Sequence, residues 1–557
     1  MKRYYIKRRK AKVNDIGIPG GIGFGVGICP LGLLASYNSA NPTEPINPMS
    51  GYDDPASENY GNYKVGHDGS IIVWNPFGWA KKNADNTGDV KPEWYFTDET
   101  AANAAGYFLP RVFINGGAVQ RGVFIDKYKP SLTGVTAAEL DSSGSLANKG
   151  IASSIKLGNP IGSAADTLRK LVTGSDNLYA GCFANCRFNS KTPTNTLGGG
   201  IDAIKSRGAS YHVMTAFAGE WIRFIQKIHQ QAAVGTTLCA WNGITPAEPR
   251  GNNNYGVDYY DTGVTYQACD DQYWGTRTPP MEARKSGGGI PFNKTTHNGQ
   301  NCGICIDANQ WEFLLGISSL AEAAQNIVSI TREAEAVFTI TNAAATNSNY
   351  ANGKPVQIAG TKTGEWATLL KNIIFTISDL SGNTFKLKNK TGAYVNTSAL
   401  TADYDTGLTT ITGKFYVLKE SVDVKNITSG TSGATDHWGA TGLAAMFDEI
   451  DIDMCGAFAM QLGNGSNQVF SGETDRTNAA YKLSQAGIPM NKDAYSAAGS
   501  AVFGYDYNYI NIVSNVALLG FGGWNDTSHA GPGARAWTNY RTNTNRYNSV
   551  RGGLFIG

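Results

Sequence analysis

Thiolates, carboxylates and imidazoles are the groups here that could do chemistry, and few of them are spaced for it. Among eight cysteines, Cys302 and Cys305 form a C-x-x-C, and Cys182 and Cys186 stand four apart. Four thiolates could hold zinc, but zinc sites pair two tight knuckles, and Cys182-x-x-x-Cys186 is not one. Eight cysteines in 557 residues make no disulfide framework either. Buried free thiols, folded in a reducing compartment, are the expectation. Glu449, Asp451 and Asp453 alternate with Ile450 and Ile452, so in a strand the three carboxylates share one face. That face could bind calcium or hydrolyse a glycan; a solvated strand face is the simpler reading. His212, His297 and His529 stand alone, without the spacing of a metal pair. His212 is expected to pack in the core and His297 to occupy a turn. No Ser/His/Asp arrangement stands out. The expectation is a protein that binds rather than catalyses, with no cofactor and with calcium as the metal left open.

Residues suited to binding gather near the C-terminal end: Trp524, Asn525, Asp526, His529, Trp537, Asn539, Tyr540, Asn543, Asn545, Tyr547 and Asn548. Aromatic rings offer large contact area at low entropy cost, and amides supply adaptable hydrogen bonds. The combination suits a protein surface or a sugar. On the alternative reading, Trp524 and Trp537 anchor a core and the asparagines cap turns.

These side chains need a scaffold, and 557 residues suffice for about three or four domains. Apolar residues make up 41%, enough for a sizeable core, but charged residues only 17%. Gly, Asn, Thr, Ser and Tyr supply the polarity instead, a profile that suits loop-rich, β-rich surfaces. A net charge of +2 implies no general attraction to nucleic acid or membranes. Seven basic residues nevertheless crowd between Lys2 and Lys12; they could meet an acidic partner surface or form a solvated terminus. Ile16 to Ala35 approaches membrane-spanning length, yet its glycines and Pro19 and Pro30 oppose a helix. An extended arm over residues 1–60, docking onto a particle or a neighbouring subunit, is preferred to a signal peptide or anchor.

Beyond the arm, Ser70–Trp74, Gly106–Ile114 and Gly122–Tyr128 are expected as strands. Phe217, Trp221, Phe224, Ile225 and Ile228 recur at helical spacing, giving a helix over Ala216–Gln231 with Thr215 as N-cap. A second helix is expected from Asn309 to about Ile330. The pattern changes near 334. Val337–Ile340, Pro355–Ile358, Ile373–Ile377 and Thr384–Leu387 are short alternating runs separated by Asn352-Gly353 and Ser381-Gly-Asn383 turns. They read as a small all-β module over 335–418, inserted into a parent domain made of 61–334 and 419–557.

Several segments resemble one family in order along the chain. Tyr211-His-Val-Met-Thr215 with Gly219-Glu220-Trp221, Pro249–Gly256, Gly303–Glu312, Leu519–Trp524 and Arg551–Ile556 resemble formylglycine-generating-type proteins with a C-type-lectin-like fold. Ala308 and Phe313 depart from the family's usual Gly and Trp. Similar domains occur in retroelement-diversified variable proteins and in the tropism determinant of tailed bacteriophages. The resemblance implies an α+β fold of C-type-lectin type, interrupted by the β module. It implies a non-enzymatic protein of the virion surface (a head fibre, decoration or tail receptor-binding protein), homo-oligomeric and, by analogy, trimeric. The arm would contact other virion proteins, and the C-terminal loops a host surface protein or glycan. The family's catalytic cysteine pair is missing: the last cysteine is Cys455. A secreted or bacterial adhesin, and a divergent oxidase or glycan hydrolase, are the competing readings.

Overall fold

The computed structural model describes residues 27–54, 57, 59–82, 88–133, 151–155, 200–232, 304, 311–321, 324–342, 350–428, 440–450, 456–457, 459–462, 474–488, 495–496, 507–512, 516–522, 533–538 and 548–557. Among them, 38% are strand and 20% helix, and six strands close into a barrel. This corrects the expected α+β fold of C-type-lectin type: the architecture is mostly β.

The barrel occupies the region read as a β module. Gln325–Ile330 pairs with Val337–Ile340, which pairs with Thr384–Lys388, then Ile373–Ser381, Pro355–Ala359 and Thr409–Leu418. The last strand returns to the first through Gln325 opposite Thr410, so the ring of antiparallel pairs is complete. Alternation makes the core. Phe338, Ile340, Val356, Ile358, Ile377, Phe385 and Leu387 point inward between outward polar neighbours. Trp366, on the short helix Gly364–Leu370, joins this core while its indole N–H donates to the Ala402 carbonyl at 3.0 Å. The turn at Gly382-Asn383 needs the left-handed backbone that Gly382 supplies at φ +59°. The barrel begins at Gln325, before the expected boundary at 335.

Two large sheets, with three two-stranded ribbons among the described residues, build the rest, here called the body. The first runs, in spatial order, Ile46–Pro48, Asn62–Val65, Ile71–Pro76, Gly122–Asp126, Gly552–Leu554 and Tyr211–Val213, every neighbour antiparallel. Its central strands are buried on both faces, with Trp74, Phe124 and Tyr63 in edge-to-face contact. The second sheet has seven strands and is mixed. Trp311–Leu314 lies between Leu518–Gly520 and Asn548–Ser549, so segments before and after the barrel share it. The helix Ala216–Ala232 buries Phe217, Trp221, Phe224 and Ile225, and its first turn is capped where the Ala218 N–H donates to Thr215 Oγ1 at 3.1 Å.

Three local expectations are overturned. The helix expected over Asn309–Ile330 is the strands Trp311–Leu314, Ile317–Ala321 and Gln325–Ile330. Gly316, at φ +117°, breaks the run, and short apolar stretches do not distinguish buried strands from helices. Within Gly106–Ile114, Pro110 leads into a 3-10 turn over Arg111–Phe113, whose Arg111 guanidinium folds back onto the Ile114 carbonyl. Only Ile114–Asn115 is strand in that stretch. Of the expected extended arm, residues 1–26, 55, 56 and 58 lie outside the described set, and the described remainder is folded. Leu31–Ala40 is helix with Leu34 and Tyr37 buried, Ile46–Pro48 is an edge strand, and the Cys29 N–H donates to the Tyr63 hydroxyl at 2.9 Å.

The body also buries charge. Arg551 grips Glu312 through two bonds of 2.8 and 2.6 Å, both side chains 0% exposed. Arg207 reaches Asp126 at 2.6 Å and Asp68 at 3.0 Å. Glu220 meets Arg223 and Lys82. Burial pushes the Glu220 carboxyl up, but the two cations outweigh it and hold it below the usual range.

Candidate functional site

A cleft of about 410 Å³ opens where five stretches of chain meet: the Leu31–Ala40 helix, the turn after Ile114–Asn115, the Tyr211–Val213 strand, the 3-10 turn Val424–Asn426 with Asp423 before it, and the residues Phe555–Gly557. Each stretch contributes for a local reason. The alternation of the Tyr211–Val213 strand sends His212 to the face opposite its two neighbours. Across the pair, its partner is Gly553, where a β-carbon would lie 2.7 Å from the imidazole Cε1. The glycine therefore makes room for the ring, which stacks on Phe555 at 5.3 Å and 19°.

His212 is 4% exposed. Burial pushes its pKa down to about 4, against the smaller opposing pull of the Val213 carbonyl bond. The ring is therefore neutral at neutral pH. The contact to the Val213 carbonyl, 2.9 Å, requires the proton on Nδ1, because a carbonyl only accepts. Nε2 is left as a buried acceptor with no donor among the described residues.

The polar wall opposite is locked. Asn115 Nδ2 donates to Asp423 Oδ1 at 2.9 Å, and the Val424 N–H donates to Asn115 Oδ1 at 2.9 Å. Lys425 reaches the other Asp423 oxygen at 3.0 Å. Burial raises the Asp423 carboxyl, yet the hydrogen bonds from Asn115 and Lys425 outweigh it and keep it below its ordinary value. Gly116 and Gly117 N–H groups donate to the Val422 and Glu420 carbonyls, so the segment leaving the barrel is latched to this wall. Chemically, the cleft offers acceptors, hydroxyls and an aromatic ring. His212 bonds to Val213 and, among the described residues, to no nucleophile.

Of the site residues predicted from sequence, the structure describes Trp537 and the backbone of Asn548. Trp537 ends the strand Arg535–Trp537, 1% exposed, tilted against Phe415 at 6.3 Å; it is a core anchor, as the alternative reading had it. Asn548 opens the short strand Asn548–Ser549, opposite Trp311. Trp524, Asn525, Asp526, His529, Asn539, Tyr540, Asn543, Asn545 and Tyr547 lie outside the described residues, as do His297, Asp451, Asp453 and the four cysteines weighed for zinc. Glu449 is on the strand Phe447–Ile450 and pairs with Lys414 at 2.9 Å. Cys29 is a buried free thiol, its pKa pushed up by burial to about 12. His212 packs in the core as expected, but its place in a cleft went unread. Asn115, Asp423 and Phe555 carry no spacing signal, since pairing across hundreds of residues brings them together.

Among the described residues, no helix is long and apolar enough to cross a membrane, and no group of acidic, His or Cys side chains could hold a metal ion. Compared with known proteins, the chain matches no family model and no curated protein, so its site is read from its own chemistry.

Proposed function

We propose that this chain is a non-enzymatic attachment protein carried on the surface of a tailed bacteriophage particle. The observation that carries the binding half of the reading is the cleft at His212: its imidazole is neutral and tied through Nδ1, its carboxylate is already engaged by Asn115 and Lys425, and what it presents is a set of hydrogen-bonding groups beside a ring. The surface location is supported by composition, with few charges and abundant Gly, Asn, Thr, Ser and Tyr, and by the basic run between Lys2 and Lys12, suited to docking on another particle protein. The C-type-lectin framework lends no support.

The experiment is antibody labelling of purified particles in the electron microscope, together with competition. Antibodies against the chain should decorate intact particles, and added free protein should slow their adsorption to host cells. Unlabelled particles, or turnover of envelope glycans or peptides by the free protein, would end the proposal.

A further inference from the structure

We infer that Lys82 and Gln485 are joined by an internal amide crosslink that the chain forms on itself, the Lys82 amine displacing ammonia from the Gln485 side chain. The inference stands apart from the attachment reading and survives its failure.

The two residues are far apart in sequence. Lys82 ends the strand Gly78–Lys82, and Gln485 ends the helix Ala479–Gln485. Folding brings both, with Glu220, to one void of about 10 Å³, no larger than a single water needs, walled by Phe108, Phe217, Trp221 and Phe224. Lys82 Nζ lies 3.5 Å from the carbonyl of Ser484, the residue beside Gln485. Both side chains are enclosed, Lys82 at 2% exposure and Gln485 at 4%. Groups held together in this way react as though at very high concentration, the help that amide exchange needs.

The surroundings suit the reaction. Gln485 Oε1 accepts the Arg111 N–H at 3.1 Å, which fixes the amide's orientation and would stabilise the oxyanion formed on attack. Gln485 Nε2 is buried, with no acceptor among the described residues to hold it. Glu220 Oε1 accepts from Lys82 Nζ at 2.6 Å, placed to take the proton that the amine sheds. The nucleophile is the neutral amine. Lys82 faces Glu220, Arg223 and Arg535 as charged groups and the rings of Phe108 and Phe224. Burial outweighs the pull of Glu220 and lowers the Lys82 pKa to about 8, so the neutral form grows as pH rises past that value. Once Lys82 is neutral, Glu220 faces one cation fewer and becomes more basic.

The step balances without an oxidant or reductant. Nζ attacks Gln485 Cδ; the Nζ–Cδ bond forms and the Cδ–Nε2 bond breaks. Glu220 relays one proton from Nζ to Nε2, and ammonia leaves. The product ties strand to helix across everything between them in the sequence, the barrel included.

The test is mass spectrometry of the full-length protein, as purified and after the folded protein stands at a pH above the Lys82 value. The wild type should weigh less than its sequence by one ammonia. After trypsin, Leu483–Lys492 should be joined through Gln485 to the peptide that contains Lys82, where cleavage is blocked. Lys82→Arg keeps a cation beside Glu220, and Gln485→Met keeps the side chain's length. Each should show its full sequence mass and, on denaturing gels, run behind the more compact wild type. Should either variant fail to fold, the wild-type peptide map decides alone. A wild type of full mass with no branched peptide after the alkaline incubation overturns the inference. So does a mass deficit that either folded variant retains, or a bond mapped to a different pair of residues.

Discussion

The barrel and the body handle charge differently: among the described residues, enclosed ion pairs lie in the body. In the barrel the core is apolar and the ion pairs lie outside: Arg332 with Asp403, and Lys386 with Glu335 and Asp379, have side chains from 26% to 99% exposed. In the body, Arg551 with Glu312 and Arg207 with Asp68 and Asp126 are almost wholly enclosed. An exposed pair adds little, because water already solvates both ions. An enclosed pair need add little net stability either, but it punishes the loss of one partner. The body thus joins distant strands through contacts that tolerate no mismatch. Arg551 bonds Glu312 and also the Asp126 and Lys127 carbonyls, tying the six-stranded sheet to the seven-stranded one.

Glu312→Ala should break this contrast most severely. It leaves the Arg551 guanidinium buried without its anion, and we expect a loss of about 3–5 kcal/mol from the body. Hydrogen–deuterium exchange should show faster opening of Gly122–Asp126 and Gly552–Leu554 with barrel strands unchanged. Uniform acceleration across both regions would mean that they unfold as one unit. Leu387→Ala tests the converse. Leu387 is 0% exposed in the barrel core, and truncation should cost about 3 kcal/mol, with exchange confined to the barrel.

One pH response is expected from the body. The folded pKa of His212 is about 4, below its ordinary value of 6.5. Within that window the unfolded chain binds the proton and the folded chain does not, so stability rises with pH and falls on acidification. The rise should amount to about 2 kcal/mol across the upper part of the window, and His212→Gln should flatten it. Denaturant midpoints measured through the window decide the point; a variant with an unaltered slope would assign the effect elsewhere. The smallest effect is expected from Arg332→Ala, which removes an exposed barrel pair and should leave the melting temperature unchanged within error.

The same division explains what could be read from the sequence. Val337–Ile340 was expected and found as a strand with identical bounds, and the expected runs starting at Pro355, Ile373 and Thr384 are strands from the same residues. Here the alternation is clean because one face meets the core and the other meets water, and a hairpin turn such as Gly382-Asn383 is local. Trp311–Leu314 is buried on both faces, so its pattern loses the period of two and was read as helix. The C-type-lectin reading strung together short motifs in order, but order along a chain does not determine which strands lie side by side. The cleft was the least legible part. Its Asn115–Asp423 bond links residues on either side of the whole barrel, and no local pattern records that meeting.

One pairing sets a schedule for synthesis. Gly552–Leu554 lies between Gly122–Asp126 and Tyr211–Val213, strands translated long before it. While a ribosome is still extending the chain, the barrel has everything it needs once Leu418 has emerged, and the six-stranded sheet does not. Until residue 554 clears the exit tunnel, the two earlier strands wait with open edges that invite wrong partners. Chaperones that shelter those edges should therefore raise the yield of the body far more than that of the barrel.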